Sequence, residues 1–85
     1  MIHKPHVENY PGIMSELAEE IGNLKYDALA EFLHLLANKI EEDGDKDKSR
    51  NRIKLAANLH NCSNNLRACK TDIDKAWVIC EPFTK

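Results

Sequence analysis

The chain has 85 residues and a formal net charge of −2, with 42 % hydrophobic and 31 % charged residues. This balance is typical of one soluble folded domain and excludes a disordered or collagen-like chain. The slight negative charge argues against a general electrostatic grip on nucleic acid, and no apolar run approaches the roughly 18 residues of a membrane span. A chain this short buries only about two-thirds of its unfolded surface, so we do not expect a deep enzyme cleft.

The first ten residues are polar and contain Pro5, which predicts an extended or loosely ordered arm over residues 1–10. A single helical domain is then expected over residues 11–85. Tyr10-Pro11-Gly12 marks the start of the first helix, because Pro is tolerated in a first helical turn. Apolar residues recur there at three- and four-residue spacing, which is an amphipathic helical pattern: Ile13, Met14, Leu17, Ala18 and Ile21. Gly22-Asn23 is a C-cap pair that is expected to end this helix.

A second helix is expected over about residues 24–43, the most hydrophobic part of the chain. Its main stripe consists of Tyr26, Leu29, Phe32, Leu33, Leu36 and Ile40. Small and apolar neighbours widen that stripe beyond what one partner helix covers, which indicates contact on two sides.

The acidic segment over residues 41–48 is predicted to be a solvated loop, with Gly44 allowing a turn. Asp43, Asp45 and Asp47 alternate as in a calcium-binding EF-hand loop. Lys48 stands where that motif needs Gly, and Lys54 where it needs the bidentate Glu. A calcium site is therefore not expected.

The strongest pattern lies between Asp47 and Cys80, a stretch with neither Gly nor Pro. Apolar and small residues alternate there at spacings of four and three, the heptad pattern of a helix that packs lengthwise in a coiled-coil-like seam: Leu55, Leu59, Cys62, Leu66, Cys69, Ile73, Ala76 and Cys80. One long helix over about 48–80 is predicted, ended by Glu81-Pro82, although Thr71 resembles a second helix start. Trp77 and Phe83 are expected to close the end of the core.

The predicted fold is all-α: an antiparallel hairpin or bundle in which two shorter helices lie against one long C-terminal helix. Such a hairpin is two helices thick and cannot cover its own apolar faces, so a homodimer that completes a four-helix-type bundle is expected. The expected core or dimer interface consists of Leu29, Phe32, Leu33, Leu36, Leu59, Leu66, Ile73 and Trp77. A compact three-helix monomer, with the long helix bent near 61–65 or 70, is the competing model.

Three cysteines, an odd number, and an N-terminus without a signal-peptide apolar core favour a reducing cytoplasm. On one helix the Cα atoms of Cys62 and Cys69 would lie about 10 Å apart, too far for a disulfide. We expect all three cysteines to be small buried hydrophobic residues.

No cofactor, metal or catalytic residue is expected. His60, Cys62 and Cys69 lack the spacing of a zinc site. His34 lies among leucines, but Ala37 stands where a phosphotransfer helix usually carries Lys. No Ser-His-acid set or phosphate-cradling Gly loop is present.

Two polar groups could contact a partner. Five basic residues lie within residues 46–54, interleaved with acids, and the members expected at a partner surface are Lys48, Arg50, Arg52 and Lys54. Asn58, Asn61 and Asn65 share a helix face, where exposed helix residues and a hydrogen-bonding surface are both plausible readings.

These patterns favour a small cytoplasmic, non-enzymatic helical protein that self-associates as an interaction or regulatory module, without a membrane. The alternatives are a nucleic-acid-associated regulator that uses the basic residues 46–54, and a ligand- or metal-binding helical bundle that uses His34, His60 and the cysteines in its interior. The sequence names no pathway or partner.

Overall fold

A computed structural model describes residues 3–83, and these residues form helices and turns without a β-strand. Helix α1 spans Met14–Gly22, α2 spans Tyr26–Ser49, and α3 spans Ile53–Cys80. A single 3-10 turn, Glu81–Phe83, follows α3. The predicted all-α class is confirmed.

Helices α2 and α3 form an antiparallel hairpin, the only extensive helix–helix interface among residues 3–83. At 1.5 Å per residue α2 is about 36 Å long and α3 about 42 Å, so α2 alone matches nearly the whole of α3. The prediction that the first two helices share α3 is therefore wrong. Helix α1 buries no residue and only Leu17 and Ile21 are half-buried within it.

The acidic segment 41–48 is helical, contrary to the predicted loop. Ion pairs one turn apart on the α2 surface support it: Lys39 Nζ lies 2.6 Å from Asp43 Oδ1, and Lys46 Nζ lies 3.2 Å from Glu42 Oε1. Gly44 lies inside helix α2, where a side chain has no room, because a Cβ at this position would lie 2.6 Å from the His60 ring. The glycine signals close packing and not a turn.

The reversal between α2 and α3 takes only residues 50–52. Asn51 adopts a left-handed conformation with φ of 62°, which Asn tolerates better than most residues. The backbone N–H of Arg52 donates to the carbonyl of Asp47 at 2.8 Å, closing the end of α2. Helix α3 therefore starts at Ile53 and not at 48. It then runs unbroken past Asn61 and Thr71, as predicted, without the interruption that the competing model places near 61–65 or 70.

Small side chains line the contact between α2 and α3. The buried residues are Ala30, Ala37 and Gly44 on α2, and Ala56 and Ser63 on α3, each set spaced by seven residues. Such side chains let two helices approach to about 8 Å, the close end of the normal range. We call this line of contact the small-residue seam.

The seam lies beside the predicted heptad stripe and not on it. Its α3 line is Ala56 and Ser63, one residue beyond Leu55 and Cys62, and those two are exposed together with Cys69. Leu59, Leu66 and Ile73 are half-buried along the edge of the contact. Trp77 is half-buried, while Phe83 is 85 % exposed and closes nothing. Helix α3 is therefore rotated so that its line of smaller residues, and not the heptad stripe, faces α2.

The described part of the chain is elongated, with a Cα radius of gyration of 15.3 Å and extents of 49 × 30 × 14 Å. A compact domain of this length has a radius of gyration of about 12 Å. No Leu, Ile, Phe, Trp or Met among residues 3–83 is buried. A two-helix hairpin joined by its smallest residues leaves its large apolar side chains in contact with solvent.

Replacing Ala37, which is 0 % exposed, by Leu is expected to force the two helices apart. Overpacking of this kind costs about 1–3 kcal/mol of unfolding free energy. Urea unfolding at fixed protein concentration measures the loss. The same substitution at the exposed Ala57 is the control and should change stability by less than about 0.5 kcal/mol. Equal stability of the two variants would contradict the seam.

Candidate functional site

The two faces of the hairpin differ in chemistry, and cross-helix bonds identify one of them. Arg67 on α3 donates from Nη2 to Asn38 Oδ1 at 3.3 Å and lies 3.2 Å from Glu41 Oε2, both on α2. His60 Nε2 lies 3.0 Å from Asp45 Oδ1. On α2, Asn38 and Asp45 each come one position after a seam residue, and Glu41 comes four positions after one. On α3, His60 and Arg67 each come four positions after a seam residue. The contacts place all five side chains on the same side of the hairpin.

We call this side the polar face. It also carries His34, whose Nε2 lies 3.3 Å from the Asn38 amide nitrogen. Arg67 is further held by the Ser63 hydroxyl oxygen, which accepts from Nη1 at 3.4 Å. Ser63 in turn donates to the carbonyl of His60 at 2.9 Å. The polar face is thus internally bonded, with Arg67 as its most connected side chain.

Helical geometry identifies the residues on the opposite side of the hairpin. A residue three positions after a seam residue, or one position before it, points away from the polar face. This opposite side carries large apolar side chains from both helices. We call it the apolar face, and it consists of Tyr26, Leu29, Leu33, Leu36 and Ile40 on α2 and of Leu55, Leu59, Cys62, Leu66, Cys69 and Ile73 on α3.

The apolar face is unevenly open. Leu29, Leu33, Leu36 and Ile40 are half-buried, and Tyr26 at the start of α2 is 40 % exposed. On α3, by contrast, Leu55 is 46 % exposed, and Cys62 and Cys69 are exposed as well. The expectation that all three cysteines are buried is therefore wrong, since Cys80 is the half-buried one.

Most of the predicted interface residues lie on or beside this apolar face. Leu29, Leu33, Leu36, Leu59, Leu66 and Ile73 belong to it, and all six are half-buried. Phe32 is directed away from the seam and is 36 % exposed. Trp77 lies at the open end of the hairpin, where with Cys80 it lines a shallow hollow beneath the α1–α2 connection.

The residues proposed for an interior metal or ligand site are not brought together. His34 and His60 lie on the polar face, whereas Cys62 and Cys69 lie on the apolar face, on the far side of the seam. Among residues 3–83, no three His, Cys, Asp or Glu side chains are grouped to hold a metal ion.

The basic residues predicted for partner contact surround the hairpin turn. Arg52 lies 3.4 Å from Asp47, and Lys46 pairs with Glu42, so acids within the same turn offset part of the positive charge. Lys48, Arg50 and Lys54 are exposed around it. Asn58, Asn61 and Asn65 are exposed on α3, away from this turn.

Two ionisable groups have displaced pKa values. The hydrogen bond from Lys39 lowers the pKa of Asp43, and partial burial opposes that shift. A hydrogen bond to Glu20 raises the pKa of Tyr10. Asp43 lines a shallow hollow beside the hairpin turn together with Lys46, Asp47, Arg50 and Arg52.

No protein-family model, curated protein or solved structure matches the chain. Within the described range 3–83, no helix has both the length and the apolar character needed to cross a membrane. The residues of the predicted heptad stripe on α3, from Leu55 to Ile73, belong to this unevenly covered apolar face. The bonds of Arg67 across the hairpin left no signal in the sequence, because their partners lie 26 and 29 residues away.

The lowered pKa of Asp43 predicts a pH-dependent contribution to stability. The ionised carboxylate stabilises the fold above its ordinary pKa of about 3.9, and this contribution is lost as pH falls through the lower folded value. Asp43→Asn should therefore be less stable than the parent chain at pH 6, with the difference shrinking as the pH is lowered toward 2. Urea unfolding at both pH values measures it, and an equal difference at both would contradict the Asp43 assignment.

Proposed function

We propose that this protein is a non-enzymatic helical module that self-associates through the apolar face of its α2–α3 hairpin. The observation that carries the proposal is the contrast between the faces. The polar face satisfies its own side chains through Arg67 and His60. The apolar face combines large side chains from both helices and leaves Leu55, Cys62 and Cys69 exposed.

The occupant that fits this surface best is a second copy of the same chain. A hairpin whose seam uses only Ala, Gly and Ser buries little apolar area by itself, and a four-helix assembly would bury the leucines. Monomeric proteins rarely leave contiguous apolar patches of this kind in water. The functional unit is then a dimer.

The charge at the hairpin turn favours a protein partner over nucleic acid. Asp47 lies among the basic residues 46–54, Asp43 and Asp45 come just before them, and ion pairs engage Lys46 and Arg52. A nucleic-acid surface instead needs clustered, unopposed positive charge. We therefore place the interaction on the apolar face.

Charge inserted into the apolar face is expected to abolish association. Cys62→Glu puts a carboxylate at an exposed position that would be buried in the dimer, which should raise the dissociation constant about 100-fold or more. Asn64→Glu is the matched control, because this residue is two positions away, equally central on α3, exposed and directed to the other side. Sedimentation velocity at micromolar concentration reads out the mass.

The parent chain and Asn64→Glu should sediment at twice the monomer mass of 9.7 kDa, and Cys62→Glu at the monomer mass. Far-UV circular dichroism checks that each variant retains its helices. A parent chain that stays monomeric across this range would refute self-association, as would equal masses for the two variants.

A further inference from the structure

The α3 border of the apolar face is its most open part. Leu55, Cys62 and Cys69 form one line at seven-residue spacing and are exposed, and the line continues to the half-buried Ala76. The corresponding α2 line contains Leu29 and Leu36, both half-buried. The most exposed part of the apolar face therefore lies along α3.

We propose that a second copy docks on this strip with its α3 antiparallel, across a two-fold axis that passes between Asn65 and Leu66. This inference rests on the proposed self-association and specifies its geometry. Each Cys62 then lies against the partner's Cys69.

The axis position follows from the length of α3 and the spacing of its exposed line. In an isologous interface, a residue i that contacts the partner's residue j is matched by j contacting the partner's i, so the line Leu55, Cys62, Cys69 and Ala76 must superimpose on itself under the two-fold rotation. An axis near residue 66 does this while overlapping almost all of the helix Ile53–Cys80, about 39 Å of contact. A shift of one heptad step would place Leu55 or Ala76 beyond the end of the partner helix.

The residues that flank the line match in this register. On the border next to the seam, Leu59 meets the partner's Ile73, and Leu66 meets the partner's Leu66. On the outer border, Asn58 meets the partner's Asp72, and Asn65 meets the partner's Asn65. Apolar side chains thus meet apolar ones, and an amide donor meets a carboxylate, which is the complementarity that a specific interface requires.

The size of the central side chains suits close helix packing. Leu55 faces the partner's Ala76, a large residue against a small one, and the two thiol pairs lie between these contacts. Small central residues allow an axis separation near 8 Å. The line of asparagines on α3 acquires a role here, because Asn58 and Asn65 form the polar rim of the interface.

Thiol cross-linking tests the register with the residues the protein already has. The experiment uses the full chain with Cys80→Ser, so that only Cys62 and Cys69 react. Diamide takes two electrons and two protons from a thiol pair, becoming the hydrazine, and leaves a disulfide. Non-reducing electrophoresis should then show a covalent dimer.

Single variants and their mixture give the decisive comparison. Cys62→Ser alone and Cys69→Ser alone should each lose the covalent dimer by at least tenfold, because neither retains a Cys62–Cys69 pair between chains. A mixture of the two variants should restore it, since one chain supplies Cys62 and the other supplies Cys69.

A covalent dimer in either single variant, or none in the mixture, would overturn the register. Sedimentation of the same unoxidised samples separates the two claims. A non-covalent dimer that fails to cross-link leaves self-association standing and refutes this geometry, whereas a monomer refutes both.

A charge at the axis gives an independent readout. Asn65→Asp places two carboxylates against each other in the dimer, which should raise the dissociation constant about three- to tenfold at low salt, and less at high salt. Asn64→Asp is the control and should leave it unchanged, because Asn64 points away from the interface. Equal dissociation constants for the two variants would count against the proposed axis.

Discussion

The close contact between α2 and α3 across Ala30, Ala37, Gly44, Ala56 and Ser63 determines the rest of the structure. Small side chains allow the helices to approach, but they bury little apolar area. The leucines and isoleucines that would fill an ordinary core are therefore displaced to one side of the hairpin. The seam that joins the helices therefore also produces the apolar face.

The polar face determines which side of the hairpin remains apolar. Arg67 contacts Glu41 and Asn38, and His60 contacts Asp45. These contacts fix how far each helix is rotated about its own axis and how the two helices are aligned along their length. These pairs are partly exposed, and each contributes at most about 1 kcal/mol to stability. Their larger effect is on geometry, because a rotation of either helix that covered the leucines would separate Arg67 and His60 from their acceptors.

Helical periodicity was enough to predict the all-α class, the unbroken α3 and its end before Pro82. It could not predict the rotation of α3, because Leu55–Cys62–Cys69 and Ala56–Ser63 are neighbouring lines on one helix and hydrophobicity favours the first. The choice between them depends on Ala30, Ala37 and Gly44, whose line on α2 accepts only a close neighbour. The predicted turn at Gly44 was wrong for the same reason. Glycine is typical of turns in the local sequence, whereas here its missing Cβ makes room for His60 on the neighbouring helix.

The exposed cysteines on α3 support the proposed self-association. In a monomer, Cys62 and Cys69 would be expected inside, because unpaired cysteine is among the most buried residue types. Here they lie on the open border of the apolar face. Residues of this type on the outside of one subunit are explained if that border lies inside the assembly, where a small apolar side chain lets two helices approach. The composition of α3 fits a helix with close neighbours on two sides, of which α2 supplies one and the proposed second copy would supply the other.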